Sequence, residues 1–488
     1  MTMWPTTVME ILFAGGMLSL VADLGGRASE ALRRYGAAAV SAVAIVFSLA
    51  VLASDWAGSL GSVVTLQPTS EPFASLYVAD RYTTFVAFTV LVVGLVVLLY
   101  ATRYFDTGRQ GPFYALFSIL MCSLVGVVSA GDLLTLFLFW EGMAVSAYGL
   151  VTFGRSHLTL EAGIKYFLMA GVGSLLALYG IAAIYFAAGS IQLSAIGTAL
   201  GSSFGQLGLL VLVLGLGVEA AIVPLHTWLP DVYSGSSLPT ASVVSGAVTG
   251  VGVFALVKVV EPLVPGNGYA AVTGISQGPS SLQLALIVLA LATMLLGNLS
   301  ALTQGNLRRI LSFSSIAQTG YMLAALSALN LAGVVAIVFT IWNHGILKSN
   351  FFMVLGKKHA SIEDSQLEKL EGVGRGNRVL GFLYASSSMA MMGAPPFGMF
   401  WSEILVVQSL LLAGQSTGAI FYVVAAAVVL NIVLSIGYYY KIINTVVFGE
   451  EKGERDARPL ADMVPPATLL AMSVLTGIVP FLILGNVL

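Results

Sequence analysis

Apolar runs of about 20 residues, separated by short polar loops, recur along the whole of this chain. A helix of about 20 mostly apolar residues is long enough to cross the hydrocarbon core of a bilayer. Charged residues make up 9% of the chain, whereas a soluble protein carries about 25%. We therefore predict an all-α polytopic membrane protein with 14 transmembrane helices. The predicted spans are 4–23, 36–54, 83–101, 113–130, 132–153, 163–187, 206–228, 240–260, 281–300, 309–327, 331–355, 379–412, 417–446 and 463–486.

The distribution of basic residues tests this count, because Lys and Arg are retained in cytoplasmic loops. Sixteen of the 21 Lys and Arg residues follow odd-numbered spans, Arg81 alone follows an even-numbered span, and four lie within spans. A missed helix would reverse this alternation partway along the chain. The pattern predicts a multi-pass membrane protein with both termini outside. The first span lacks the basic start of a signal peptide, so we expect it to be retained.

The polar loops are too short to hold a separate catalytic domain. The longest, at 55–82, 356–378 and 447–462, have no room for a redox or nucleotide-binding domain. A single cysteine, Cys122, excludes an intramolecular disulfide and a cysteine-ligated metal cluster. The net charge of −2 gives no indication of nucleic-acid binding. Any chemistry is therefore expected inside the membrane.

Several titratable residues lie deep within the apolar runs. An acid or base near the bilayer centre is costly, and it is therefore a candidate functional group. His344 and Lys348 are four residues apart, so they share one face of a helix. The deep residues could form a row of proton-binding groups across the bundle: Glu141 in span 5, Glu219 and His226 in span 7, His344 and Lys348 in span 11, and Glu403 in span 12.

Structural explanations compete with this interpretation. A buried glutamate can be protonated and hydrogen-bonded to a neighbouring helix. Lys165 lies near a cytoplasmic end, where its side chain can extend to the interface. Lys258 is predicted to be an anchor at the outer end of span 8, and His359 a solvated loop residue. The run Tyr438–Tyr440 fits an interfacial aromatic belt.

Two spans contain prolines that should interrupt the helix. Span 7 carries Pro224, and span 12 carries Pro395 and Pro396. Irregular backbone at membrane depth is tolerated only inside protein or beside a water-filled cavity. Spans 4–8 and 9–13 form two five-helix units with a break in the fourth helix of each, which predicts an inverted-repeat transporter. The predicted segments are an N-terminal three-helix segment at 1–112, repeats at 113–260 and 281–446, and a final helix at 463–486.

Six motifs follow one another along residues 113–446: "WEGMAVSAYGLV", "EAGIKYFLMAGVGSLLALYGIA", "VPLHTWLPDVY", "NLRRILSFSSIAQTGYML", "NHGILKSNFFMVLG" and "GAPPFGMFWSEI". On these motifs the chain resembles the antiporter-like subunits of respiratory complex I, which are shared with Mrp antiporters and membrane-bound energy-converting hydrogenases. Span 6 and "LPDVY" are most similar to the N-type subunit. Spans 11 and 12 are more similar to the M-type subunit and the hydrogenase relatives.

The resemblance implies a role for most of the deep residues. Glu141 would be the span-5 glutamate, and Lys165 the span-6 lysine. His344 and Lys348 would form the central relay, and Glu403 would be the exit-side group.

The chain also departs from the family pattern. Glu219 stands where the family usually has a lysine, and the usual span-8 lysine is replaced by Gly250 or Val251. Two carboxylates close together cannot both ionise cheaply in a low dielectric. Glu141 and Glu219 would then share one proton, or both would ionise around a bound Na⁺, since hard cations prefer oxygen ligands. A third interpretation is an idle channel in a structural subunit.

The resemblance implies a proton-translocating subunit of a complex I-like oxidoreductase of the NADH- or F420H2-dehydrogenase type. FeS clusters and a quinone-type carrier would lie on partner subunits, and this chain would hold neither cofactor nor metal beyond the possible Na⁺. The expected partners are other antiporter-like and small membrane subunits, peripheral redox subunits and the lipid bilayer, with no nucleic acid. An ion-pumping hydrogenase, an Mrp-type Na⁺/H⁺ antiporter and a structural membrane subunit are the alternatives.

Overall fold

A computed structural model describes residues 4–25, 30–59, 76–105, 110–154, 156–264, 280–361, 363–450, 456, 458–481 and 485. The chain divides into two compact units, Met1–Leu216 and Gly217–Leu488. Over the described ranges its regular elements are all helices, and its β-type contacts are isolated bridges rather than strands. The prediction of an all-α polytopic membrane protein is confirmed.

The first unit begins with long helices and ends with a short helix and an apolar one. These are α1 (Trp4–Gly25), α2 (Glu30–Ser59), α3 (Arg81–Tyr104), α4 (Gly111–Ser129), α5 (Leu133–Val151), α6 (His157–Ala188), α7 (Ile196–Ala199) and α8 (Ser203–Gly217). Hydroxyl groups join α1, α2 and α4, because Ser41 Oγ lies 2.9 Å from both Ser19 Oγ and Ser118 Oγ. Such interhelical hydrogen bonds help to hold helices together where lipid offers no polar partner.

The second unit surrounds one central helix. Its helices are α9 (Trp228–Gly235), α10 (Leu238–Val243), α11 (Thr249–Val260), α12 (Ser281–Thr303), α13 (Leu307–Ser327), α14 (Leu331–Leu355), α15 (Val373–Gly376), α16 (Arg378–Met391), α17 (Met399–Ser416), α18 (Ile420–Val446) and α19 (Leu460–Ile478). Every residue of α14 from Gly333 onward is buried, and α10, α11, α13, α16, α17 and α19 pack around it. Polar side chains on α14 therefore depend on protein for their partners.

Eleven of the described helices are long and apolar enough to cross a bilayer. Three of the predicted spans are not among them. The runs at 206–228 and 379–412 fall short because the helix is interrupted in each. The run at 309–327 corresponds to α13, which is rich in serine and carries two arginines at its start. The number of 14 crossings stays a prediction.

Candidate functional site

The first interruption lies between α8 and α9, at residues 218–227, and contains Pro224. An interrupted helix leaves backbone groups without their helical partners. The Trp228 indole N–H donates to the carbonyl of Val218 at 2.8 Å. The backbone N–H that precedes Pro224 donates to Thr293 Oγ1 of α12 at 3.1 Å. Side chains thus replace part of the lost helical bonding.

Glu219 lies in this first interruption and is 1% exposed. Gly252 of α11 packs against the backbone beside it, since a Cβ at Gly252 would lie 2.8 Å from the Ala220 amide nitrogen. Ala221 adopts a left-handed conformation with φ 56°, which is unusual for a residue with a Cβ. The deep acid is therefore held in irregular backbone with a neighbouring helix against it.

Gly250 and Val251, the two positions that the sequence analysis compares with the usual span-8 lysine, lie in a closely packed region. A Cβ at Gly250 would lie 3.2 Å from Ile341 Cγ2 of α14, and Val251 is fully buried. Residues Val244–Val248, between α10 and α11, form a π-helical turn. Such turns are frequent at functional sites, and the sequence analysis did not identify this one. His226 lies near the end of the first interruption and is partly exposed.

The second interruption lies between α16 and α17, at residues 392–398, and contains Pro395 and Pro396. Gly393 has φ 72° there. The Glu403 carboxyl folds back against it, since a Cβ at Gly393 would lie 2.8 Å from Glu403 Cδ. Glu403 therefore lies on α17, with its carboxyl group at the break.

The C-terminal helix α19 supports this second interruption. Gly398 N–H donates to Ser473 O at 2.9 Å, and the Trp401 indole N–H donates to Gly477 O at 2.8 Å. The backbone groups freed by the break are thus bonded to another helix.

Two candidate residues lie on the central helix. Lys348 is fully buried and donates to the Leu311 carbonyl of α13 at 2.8 Å and to Ser314 Oγ. His344 is 2% exposed, and within the described ranges its Nε2 has no hydrogen-bond partner. Lys348 thus contacts α13, and His344 keeps a nitrogen available for a further partner.

Asparagines on α14 bond to α17, α16 and α19. Asn343 Nδ2 donates to Ser402 Oγ at 3.1 Å, and its Oδ1 accepts from Thr476 Oγ1 at 3.2 Å. Asn350 Nδ2 donates to Pro466 O at 2.5 Å. These amides fix the position of the helix that carries His344 and Lys348.

One polar stripe of α13, which the sequence analysis does not identify, lies along Lys348 and Glu403. Ser314, Gln318 and Tyr321 are spaced at i, i+4 and i+7 and so share one face of α13. Ser314 contacts Lys348, and Gln318 contacts the Glu403 carboxyl. The signal in the sequence is a run of polar residues, "SFSSIAQTGY", within an otherwise apolar span.

A further polar network lies where α12, α13 and α18 meet. Asn298 Nδ2 donates to Tyr321 OH at 2.9 Å and to Asn431 Oδ1 at 3.0 Å. Tyr438 OH donates to Asn298 Oδ1 at 3.1 Å. Tyr438 and Tyr439 are 2% and 1% exposed, whereas Tyr440 is 62% exposed. The prediction that this run forms an interfacial belt is wrong for the first two, because their face of α18 packs inward.

The candidates in the first unit have different surroundings. Glu141 of α5 is partly exposed, and its Oε1 is buried with no hydrogen-bond partner in the described part of the chain. Lys165 forms an ion pair of 2.8 Å with Glu161, one turn earlier on α6, and both side chains are 47% exposed. Ion pairs this exposed contribute little to stability.

A buried charge cluster lies just before α19, at the end of the helix that carries His344 and Lys348. Arg458 donates to the terminal α14 carbonyls of Val354 (2.7 Å) and Leu355 (3.0 Å) and to Asp456 (2.5 Å). Asp456 also lies 3.5 Å from His359 Nε2. Burial raises the pKa of Asp456, but the nearby His359 and the hydrogen bonds and charge of Arg458 lower it further, leaving the pKa below its usual range.

Two predictions about polar side chains are corrected by their burial. His359 was predicted to be solvated, but it is 7% exposed because it packs beside Asp456. Lys258 was predicted to be an anchor at the outer end of span 8, but it is 3% exposed because α11 is enclosed on all sides. Among the described residues, no three His, Cys, Asp or Glu side chains converge to form a metal site.

Comparison with known proteins identifies related sequences along nearly the whole chain. The family described as "NADH:quinone oxidoreductase/Mrp antiporter, TM" matches residues 130–429. The protein named "NADH-quinone oxidoreductase subunit N 1" from Sorangium cellulosum (strain So ce56) is 31% identical over 501 residues, which cover 97% of this chain and 96% of that protein.

Two solved structures share the fold. One is a chain of an archaeal respiratory membrane complex, the membrane-bound sulfane sulfur reductase, with a TM-score of 0.84 and 25% identity over 98% of this chain and 96% of that chain. The other is a chain of respiratory complex I from Thermus thermophilus, with a TM-score of 0.79 and 24% identity over 98% of both chains. The fold is therefore shared along nearly the full length of all three chains.

Proposed function

This chain belongs to the NADH:quinone oxidoreductase/Mrp antiporter transmembrane family, and we propose that it is the proton-translocating, antiporter-like subunit of a complex I-like membrane oxidoreductase. The observation that carries the proposal is a set of titratable side chains in the second unit. His344 and Lys348 are buried, and Glu403 is partly buried with its carboxyl group against the second helix break. Such groups are costly at membrane depth and are retained for ion transport.

The spacing of these groups suits proton transfer that responds to charge. His344 and Lys348 are one helical turn apart, or about 6 Å along the axis. At that distance and an effective dielectric constant of about 20, the charge on one changes the energy of protonating the other by about 3 kcal/mol. This corresponds to about a hundredfold change in proton affinity. A proton that arrives at one group therefore promotes release from the next.

We place the electron-transfer chemistry on other subunits. The relative from Sorangium cellulosum is named as a subunit of NADH-quinone oxidoreductase, and on this basis FeS clusters and a quinone-type carrier are proposed to lie on partner chains. Further antiporter-like and small membrane subunits and peripheral redox subunits complete the assembly. This chain would supply the ion path and no redox group.

The membrane topology that we propose has 14 crossings and both termini outside. It contains two inverted five-helix repeats, at 113–260 and 281–446, between an N-terminal three-helix segment and a final helix. Support comes from the alternation of basic loops and from the placement of one interrupted helix in each repeat. A prokaryotic plasma membrane is the proposed location. Labelling of single cysteines introduced into successive loops would test the orientation.

Glu141, Lys165, Glu219 and His226 are proposed to form the path in the first repeat. Glu141 and Glu219 either share one proton or bind Na⁺ together. Replacing Glu219 by Gln separates these alternatives when transport is measured with and without sodium. A shared proton predicts a loss in both conditions, whereas a sodium site predicts loss of the sodium-dependent part. Unchanged transport in both would contradict both alternatives.

The test of the proposed function is Glu403→Gln in the complete complex, reconstituted in vesicles. The variant keeps the shape of the side chain and removes its proton exchange, so we expect redox-driven proton transport to fall about tenfold or more. Glu368→Gln, in an exposed loop, is the matched control. Assembly with unchanged transport in Glu403→Gln would favour a structural subunit instead.

A second candidate is a subunit of another energy-converting membrane complex. The favouring observation is the TM-score of 0.84 with a chain of the sulfane sulfur reductase complex, which exceeds that with the chain of complex I. Identification of the copurifying subunits decides between them. Soluble FeS partners with a quinone reductase activity would support the first candidate, and FeS partners without that activity would support the second. The absence of FeS partners would favour an Mrp-type antiporter.

A further inference from the structure

Tyr439 is a buried residue of α18 whose hydroxyl has no assigned role. It is 1% exposed, and within the described ranges its hydroxyl makes no hydrogen bond of normal geometry. Leaving a buried hydroxyl without a partner costs about 1–3 kcal/mol. Such a group in a native protein calls for a specific explanation, and proton transfer is one of them.

The surroundings of Tyr439 include neighbours of two of the proposed transport groups. Its hydroxyl lies beside Ser314 of α13, which accepts a hydrogen bond from Lys348. It also lies close enough to Glu403 to interact with its charge. The neighbouring Tyr438 and Tyr321 interact with Glu403 as well.

Lys348 and Glu403 contact different turns of α13. They contact α13 at Ser314 and Gln318 respectively, and these positions are four residues or about 6 Å apart along the helix. A hydrogen bond spans about 3 Å, so a proton cannot pass between these positions in one step. The Gln318 amide can bind Glu403, but it is not a ready proton donor or acceptor, whereas a phenol hydroxyl is both.

We propose that the Tyr439 hydroxyl is a proton-relay group that connects Lys348 and Ser314 with Glu403. This inference rests on the proposed function and adds a specific residue to it. The Lys348 ammonium gives a proton to Ser314 Oγ, Ser314 gives its hydroxyl proton to Tyr439, and Tyr439 gives its own to the Glu403 carboxylate, directly or across one water molecule.

The proposed transfer is balanced. Lys348 ends as a neutral amine and Glu403 as a carboxylic acid, both hydroxyls end neutral, and only N–H and O–H bonds change. Ser314 Oγ–H donates to the Leu311 carbonyl at 2.9 Å in this structure, so its hydroxyl must rotate before the transfer. Loss of the proton from Glu403 on its far side, uptake of a proton by Lys348 and rotation of the two hydroxyl groups then restore the starting state.

The run of three tyrosines supplies matched controls for the test. Tyr439→Phe removes the unpartnered hydroxyl, Tyr438→Phe removes a hydroxyl that donates to Asn298, and Tyr440→Phe removes an exposed one. Each variant would be assembled in the complete complex and reconstituted in vesicles. Redox-driven proton transport and the thermal unfolding temperature would both be measured.

For Tyr439→Phe we expect proton transport to fall about tenfold or more, with an unfolding temperature equal to or above that of the parent. For Tyr438→Phe we expect a lower unfolding temperature and transport within about twofold of the parent. Tyr440→Phe should change neither. If Tyr439 were merely structural, any loss of transport in Tyr439→Phe would come with a lower unfolding temperature. A loss of transport without a lower unfolding temperature therefore identifies a relay.

Parent-like transport in assembled Tyr439→Phe would overturn the inference, as would a loss of transport that only follows a loss of stability. Glu403→Gln, measured in parallel, separates this result from a failure of the proposed function. If Glu403→Gln abolishes transport while Tyr439→Phe does not, the relay is wrong and the function stands. If neither variant affects transport, the proposed function itself fails.

Discussion

The two helix interruptions of the second unit look alike in sequence but are supported differently. The first is closed by Trp228, which follows directly after it, and by Thr293 of α12. The second is bonded to α19 through Gly398 and Trp401. Glu219 lies within the first, whereas Glu403 lies beyond the second and folds back onto it. A proline and a deep acid thus identify a break, but not the element on which its stability depends.

The largest effect is expected from Gly393→Ala in the second break. The new Cβ would collide with the Glu403 carboxyl, and φ 72° disfavours any residue with a Cβ. We expect proton transport in the reconstituted complex to fall about tenfold or more, because a displaced Glu403 carboxyl can no longer exchange protons with its neighbours. Gly171→Ala, where the Cβ meets open space, is the control. Parent-like transport in Gly393→Ala would show that this contact does not position Glu403.

The next effect concerns the buried charge cluster of Asp456 and Arg458, which lies just before α19, the helix to which the second break is bonded. Asp456→Asn removes a buried partner of Arg458, so we expect a loss of about 3 kcal/mol in stability, measured by thermal unfolding in detergent. The folded-state pKa of Asp456 is lowered, so its stabilisation is complete above about pH 4 and is lost as the pH falls below that value.

The pH dependence of stability tests the role assigned to the Asp456–Arg458 pair. The parent should lose stability on acidification below about pH 4, and Asp456→Asn should lose less over the same interval, because it has no carboxylate to protonate. Parallel acid profiles for the two proteins would contradict the assigned role of the Asp456–Arg458 pair.

A smaller effect is expected at the first break. Trp228→Phe keeps an aromatic ring and leaves the buried Val218 carbonyl without the indole N–H, which should cost about 2 kcal/mol. Because the hydrogen bond between Trp228 and Val218 joins residues close in sequence, Trp228→Phe should not alter the loss of stability at low pH that is assigned to Asp456. A change in that profile would mean that the two breaks share their support.

The sequence predicts much of this fold and part of its site. Apolar runs and prolines identify the helices and both interruptions, because hydrophobic length and a missing N–H act locally. Burial of individual polar residues is not local. Tyr439 lies in a run typical of an interface and His359 in a polar loop, and both are buried because of helices distant in sequence. The contacts of Gln318 and Gly252 depend on the same long-range packing.

The smallest effect compares the left-handed residues of the two breaks. Ala221 has φ 56° in the first break and Gly393 has φ 72° in the second. A residue with a Cβ pays about 1 kcal/mol in this conformation, and the greater freedom of glycine in the unfolded chain cancels part of any gain from its removal. Ala221→Gly should therefore raise stability by about 0.5 kcal/mol or less, in the direction opposite to Gly393→Ala. Destabilisation by Ala221→Gly would show that packing of the Ala221 methyl group outweighs the strain of its backbone. Side-chain contacts would then stabilise the first break, as α19 stabilises the second.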